Sequence, residues 1–155
     1  MVRDAVPSEV SEDLVKILFR LEKDEDGYPP EDVESLWAIP VVDGFQLDNI
    51  PFFVRGVAYG DVVSANRADD GALEFEGVVR RGGHSTYRLL LEEDEELQAT
   101  VAELERLGLG VESDVGSLLA VDVPHDVDET IIRDHFFEGF DAERWEVEEA
   151  YRASR

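Results

Sequence analysis

The chain has 155 residues, 38 of them Asp or Glu and 14 Lys or Arg, with a formal net charge of −24 and no cysteine. Its length suits one ordinary domain or two small lobes sharing a core, and an apolar content of 43% is enough to fill an interior. Disulfides, thiolate metal sites and a cysteine nucleophile are excluded, and nucleic acid is disfavoured as a partner because phosphate contacts need a broad basic face.

Residues 1–13, MVRDAVPSEVSED, form a polar segment without the basic start and apolar core of a signal peptide. No apolar run approaches the roughly 18 residues of a membrane span, so no membrane role is expected and a cytoplasmic location is. Among the basic residues only Lys16 and Lys23 are lysine and the other twelve are arginine. Acid-rich, lysine-poor composition resembles the cytoplasmic proteins of salt-in halophiles. Surface carboxylates there hold water and cations, and self-repulsion fades as the Debye length falls to about 3 Å at 1 M salt. A merely acidic protein from a low-salt interior is the alternative.

In chain order, LVKILFRLE (14–22) sets Val15, Ile17, Phe19 and Leu21 against Lys16, Arg20 and Glu22, the period of a strand. KDEDGYPP breaks it. ESLWAIP and GFQLD read as a hairpin around Asp43-Gly44, and DVVSANR and ALEFEGVVR as a second pair joined through Asp69-Asp70-Gly71. Residues 14–84 are thus predicted to be a β-rich lobe resembling a small barrel.

From residue 85 the pattern changes. STYRLLL reads as a strand, and EDEELQATVAELERLG as a helix with Leu97, Val101, Leu104 and Leu107 on one face and Gly108 closing it. GVESDVG and SLLAVDVP flank Gly116 as two strands. DETIIRDHFFEGF is a helix with Ile132, Phe136 and Phe140 four apart, capped by Asp126 or Asp128, and RWEVEEAYR sets Trp145, Val147 and Tyr151 on one face of a last strand. The order β-α-β-β-α-β over residues 85–152 is that of a ferredoxin-like lobe, so the fold class is α+β with a β-barrel-like lobe followed by a ferredoxin-like one.

The strings "LFRLEKDEDGYPPEDVESLWA", "LDNIPFF", "GDVVSA" and "GGHSTYR" together resemble the domain-of-unknown-function family 4265, small soluble proteins of bacteria and archaea. The likeness covers most of residues 14–152. It implies that "LDNIPFF" and "GGHST" are hallmarks, which directs attention to Asn49, Pro51, His84, Ser85 and Thr86, and it implies no activity.

RRGGHSTYR (80–88) gathers three arginines and a histidine in an otherwise acidic chain. Gly82-Gly83 could turn backbone N–H groups inward as an anion nest, with Ser85 and Thr86 as hydroxyl donors and Arg80, Arg81 and Arg88 as charge. Strand alternation places Arg88 with Thr86, opposite Ser85 and Tyr87. The bland reading is a plain connection whose arginines pair with surplus carboxylates. His84 and Ser85 point to opposite faces and cannot form a nucleophile–base dyad, and no G-x-S-x-G elbow is present. His84 could act alone as general acid or base beside Asp48 or Asp61.

Metal sites find little support. EKDEDGYPPEDV mimics a calcium loop but has Val33 at its twelfth position, and Asp126, Asp128 and Glu129 serve better as cap and dipole partners of a helix than as ligands beside His125 or His135. In "LDNIPFF" two adjacent phenylalanines cannot share one sheet face. One of them, with Trp37, Phe45, Tyr59 and Phe75, lines a pocket or fills the core.

The leading expectation is a binding or regulatory module holding a small anionic ligand, or an acidic group of a partner, at Asn49, Arg80, His84, Ser85, Thr86 and Arg88, with no metal or cofactor. The alternatives are an enzyme with His84 as proton shuttle and an arginine clamp, and a structural protein whose sheet associates into a homodimer.

Overall fold

The computed structural model describes residues 14–154, so the polar segment 1–13 lies outside the described residues. Five strands come first: β1 (Val15–Arg20), β2 (Val33–Val41), β3 (Gly44–Leu47), β4 (Val62–Arg67) and β5 (Leu73–Arg80). Neighbours in sequence pair antiparallel. A short parallel contact of β1 with β5, Ile17 opposite Leu73 and Leu18 opposite Glu74, closes the five into a ring. The period-two pattern sends Ile17, Phe19, Leu36, Ala38, Leu47 and Val63 inside, where Phe45 and Phe75 pack against them. These two rings therefore belong to the core. Trp37 is 42% exposed and lies under Lys16.

The second half holds β6 (Ser85–Leu91), α1 (Leu97–Arg106), β7 (Gly110–Val115), β8 (Leu118–Val123), α2 (Glu129–Asp141) and β9 (Trp145–Tyr151). Its sheet runs β7-β8-β6-β9, antiparallel throughout. Both helices cover one face. Tyr87, Leu89, Leu91, Leu119, Val121 and Val123 meet Leu104 from α1 and Ile132 and Phe136 from α2. Leu118 and Ala120, on the other face, meet Ile50 and Phe52 from the β3–β4 connection. All six residues of β8 are buried, which is why LLAVDV reads as an unbroken apolar run apart from Asp122.

Helix ends follow from local chemistry. The Asp128 side chain accepts from the backbone N–H of Thr130 and Ile131 and starts α2. The acidic run before α1 forms one 3-10 turn, Asp94–Glu96, so the helix proper starts later than the spacing predicts. Phe140 and Leu107 are 48% and 38% exposed, against the expectation that both face the core. On α2 the buried position beside Phe140 is Gly139, where an added Cβ would lie 2.2 Å from the Trp145 ring, so only glycine lets that indole lie against the helix. In β9 a bulge at Ala150 shifts the register between Glu149 and Tyr151 and breaks the predicted Trp145-Val147-Tyr151 alternation. Among the described residues no helix is long and apolar enough to cross a membrane.

Candidate functional site

Ring and second sheet are joined by the β3–β4 connection, and its hydrogen bonds explain most of the residues that stand out in the sequence. Three consecutive N–H groups, of Phe52, Phe53 and Val54, donate to the Glu34 carboxylate of β2 at 2.6, 3.0 and 2.9 Å. The carbonyls of the same stretch are taken from the other side. Arg88 donates from Nη1 to Pro51 and Val54, both at 3.0 Å, and from Nη2 to Phe53 at 2.9 Å, with its Nε on Glu148 at 2.9 Å. Arg88 is 2% exposed. Its guanidinium is thus a structural clamp and not a free anion contact, because every N–H it would offer a ligand is engaged by the protein.

The other predicted ligand residues are engaged as well. The Ser85 hydroxyl is buried, donates to Glu129 Oε1 at 2.7 Å and accepts from the N–H of Ala153 at 2.9 Å. Tyr87 donates to Glu129 Oε2 at 2.6 Å from the same face. Thr86 is buried on the opposite face and donates to the Val57 carbonyl at 3.3 Å. Asn49 Oδ1 accepts from the N–H of Trp37 at 2.7 Å. Arg80 reaches away to Asp43 at the β2–β3 turn, at 2.8 and 3.3 Å, and this hydrogen bond holds the Asp43 carboxyl below its ordinary range. The six residues therefore do not converge on one spot.

The Gly82-Gly83 turn is no anion nest either. The Gly82 N–H donates to Asp61 Oδ1 at 2.9 Å, and a Cβ on Gly82 would stand 2.7 Å from the Gly60 carbonyl oxygen. Gly82 is glycine because two backbones touch there, and Gly83 because its φ is +88° and a Cβ would stand 3.2 Å from that of His125. Asp61, wholly buried, also accepts from Ala58 N–H and from Arg81 Nη1, each at 3.0 Å, so it serves this junction rather than His84.

His84 stands apart from the rest. Its Nδ1 lies 2.8 and 3.0 Å from the two carboxylate oxygens of Asp122 on β8, with side chains 17% and 9% exposed. The carboxylate on Nδ1 is thus that of Asp122, while Asp61 bonds to Ala58, Arg81 and Gly82 and Asp48 shares the lining of the same cleft. Burial pushes the Asp122 carboxyl up, and the bond to His84 partly offsets that. Tyr59 packs edge-on against the imidazole at 5.4 Å and His125 at 6.0 Å between ring centroids. The pair lines a cleft of about 860 Å³ between the β3–β4 connection and the β7–β8 edge, with Asp48, Ile50 and Tyr59 on one wall and Leu109, Gly110 and Glu112 on the other. Glu112 fastens the walls together by accepting from the N–H of Ile50 at 3.1 Å. Among the described residues no Lys or Arg lines this cleft.

A carboxylate on Nδ1 fixes the orientation of the imidazole, so the geometry suits proton exchange or hydrogen bonding with a bound molecule. Among the described residues no three or more His, Asp or Glu stand where they could hold a metal ion. Asp122 and Glu34 are absent from the sequence reading. The signal for Asp122 was available, a lone carboxylate in an otherwise apolar strand. Glu34 gave none, because it is one acid among 38 Asp and Glu.

A five-stranded ring joined through a clamped loop to a four-stranded sheet carrying two helices, with a histidine cleft at the junction, defines the protein as an α+β two-sheet type. Residues 34–147 match the family described as "Domain of unknown function (DUF4265)", and the chain belongs to that family, as the four strings imply. It is also similar in fold to a hypothetical protein from Neisseria gonorrhoeae seen in a crystal structure. The TM-score is 0.74 at 19% identity, covering 91% of this chain and 96% of that one. No curated protein matches the chain. Neither likeness carries an activity.

Proposed function

We propose that the protein is a small-molecule binding module, built from a β-barrel-like and a ferredoxin-like lobe, whose site is the His84 cleft. The observation that carries this reading is the imidazole held by a nine-tenths buried carboxylate at the edge of a cavity of about 860 Å³, a volume within the range of metabolite sites. The anionic ligand expected at the Gly-Gly turn loses its support, since Arg80, Arg88, Ser85 and Thr86 are engaged elsewhere. Asp48, Glu105, Glu112 and Asp122 line the cleft, so complementarity favours a ligand presenting hydrogen-bond donors or positive charge. A thermal-shift screen of amines and polyols in molar KCl, run on the native chain and on His84→Gln, tests it. A specific ligand raises the melting point of the native protein by mass action and leaves the variant unmoved. Equal shifts in both proteins for every compound would remove the cleft as the site.

A second reading, catalysis by His84 as general acid or base, is favoured by the same pair, because a carboxylate on Nδ1 orients the ring and stabilises an imidazolium. Once a ligand is known, Asp122→Asn separates the two readings. Conversion that falls by about 10²-fold or more while binding persists supports catalysis, and a ligand bound and returned unchanged supports a module.

A further inference from the structure

The two helices cover one face of the second sheet, and Ile50 and Phe52 cover only part of the other, where they meet Leu118 and Ala120. Beside them opens a mostly apolar hollow of about 400 Å³ that shares no residue with the His84 cleft. Leu90, Val115 and Leu118 line it from the sheet. Tyr28 and Phe53 line it from the side of the ring, their own rings edge to face at 6.1 Å. Tyr28, Leu90 and Val115 are 46%, 48% and 39% exposed, and apolar surface gathered in this way marks a place where something binds.

Its walls are fixed in advance. Lys23 donates to the carbonyls of Pro29 and Glu31 at 2.6 and 3.0 Å, and the Asp24 carboxylate accepts from the N–H of Asp26 and of Tyr28, each at 2.9 Å, which shapes the turn that carries Tyr28. Phe53 is held through its backbone by Glu34 and Arg88. A preformed hollow costs a ligand little ordering. The charged residues of the lining are Arg88, Glu146 and Glu148. Arg88 spends its five N–H groups on the connection and on Glu148, which also takes Arg55 at 2.8 Å. Glu146 is exposed, stands opposite Leu90 in the register of β6 with β9, and has no ion pair among the described residues. Burial and then the charge of Glu148 raise the Tyr28 hydroxyl above its ordinary range, so it stays protonated and adds a dipole. The uncommitted charge at this apolar hollow is therefore negative.

We infer that the hollow is a second ligand site, for a small hydrophobic amine whose apolar body lies against Leu90, Leu118 and Phe53 and whose ammonium lies at Glu146. A carboxylate in its place would meet Glu146 and Glu148 while Arg88 has no donor left to give it. The Tyr28 ring adds attraction for a cation, and the volume is that of a small-molecule site. The apolar lining separates this ligand from that of the His84 cleft, where carboxylates and an imidazole suit a polar one.

Methyl-resolved NMR titrations with 4-phenylbutylamine, 4-phenylbutan-1-ol and 4-phenylbutyrate, which share a body and differ in head group, test the inference in 0.2 M KCl, where a contact ion pair is only partly screened. The amine is expected to shift the methyl signals of Leu90, Val115 and Leu118 saturably. The alcohol should bind about fivefold more weakly, the loss of one exposed ion pair, and the acid more weakly still. Glu146→Gln should bring the amine down to the affinity of the alcohol, and Leu90→Ser should weaken both about fivefold by removing apolar contact. His84→Gln should leave the three methyl shifts as they are in the native protein, which separates this site from the cleft lined by Ile50, Leu109 and Val111. The inference is overturned if those three signals do not saturate, if shifts are confined to the methyls of the cleft, if the acid or the alcohol binds as tightly as the amine, or if Glu146→Gln keeps full affinity for the amine. Glu146 is exposed and Leu90 about half exposed, so both variants retain the fold, which a melting curve checks.

Discussion

A guanidinium that is 2% exposed must find an acceptor for its N–H groups or destabilise the fold, and Arg88 finds three carbonyls and a carboxylate. Arg88→Met keeps the volume and leaves the carbonyls of Pro51, Phe53 and Val54 without their donor. The expected cost is about 3–5 kcal/mol, seen as a lower urea midpoint in molar KCl, and Arg88→Lys should recover only part of it because an ammonium cannot span the fork. Two other carboxyls give opposite signs in acid. Hydrogen bonding to Arg144 holds Glu103 below its reference value of 4.5, with His135 assisting against burial. The unfolded chain therefore binds that proton first, and the stability Glu103 contributes is lost as pH falls below that value. Asp122 is raised above 3.8 by burial, so folding favours its protonated form and the cost of its charge appears as pH climbs past that value. Urea midpoints between about pH 3 and 5 should show the advantage of the native chain over Glu103→Gln growing with pH, and that over Asp122→Asn shrinking. Parallel slopes would refute the assignment.

At the scale of elements, the connection between β5 and β6 is held by contact of two backbones. Gly82→Ala should therefore destabilise by about 1–3 kcal/mol, since the obstacle is the Gly60 carbonyl and not a side chain that can turn aside. Gly77→Ala, within β5 and 4.0 Å from Ser64 Oγ, should be nearly neutral, and thermal melts of the two variants make the comparison. This junction also marks the limit of what the sequence discloses. Every strand and both helices were legible, because hydrophobic period and turn residues are local properties, and so was the placing of Ser85 and Arg88 on opposite faces of β6. That Asp126 or Asp128 caps α2 followed from the same local chemistry, and the structure selects Asp128. What is not local was lost. Gly82-Gly83 looks the same whether it receives an anion or another backbone, and an arginine looks the same whether it faces solvent or three carbonyls 34 to 37 positions away in sequence. His84 was legible as a candidate, but its partner lies on a strand 38 residues on, and only the pairing of β6 with β8 brings Asp122 to it.

The whole molecule carries −24 charges, and the effect of that excess depends on the solvent. The segment before α1 shows the strain directly. Glu93 is fully exposed, yet its carboxyl lies above the ordinary range, raised chiefly by a hydrogen bond with Glu95 and by the charges of Glu95, Glu96 and Glu92. Like charges raise a carboxyl because each proton taken up relieves repulsion, so ionising this run at neutral pH works against the fold. At 0.15 M salt the Debye length is about 8 Å, long enough to couple such neighbours across the surface, and at 1 M it is about 3 Å. The melting point should therefore rise between 0.1 and 2 M KCl, by about 2–4 °C for each kcal/mol of repulsion screened. Salt also strengthens apolar burial, so the rise alone does not isolate charge. The double substitution Glu93→Gln with Glu95→Gln does: if repulsion is the cause, it raises the melting point in 0.1 M KCl and changes it little in 2 M KCl. A gain of equal size at both concentrations would place the effect in helix initiation, and a melting point that falls with added KCl would show that the acidic surface is not suited to salt.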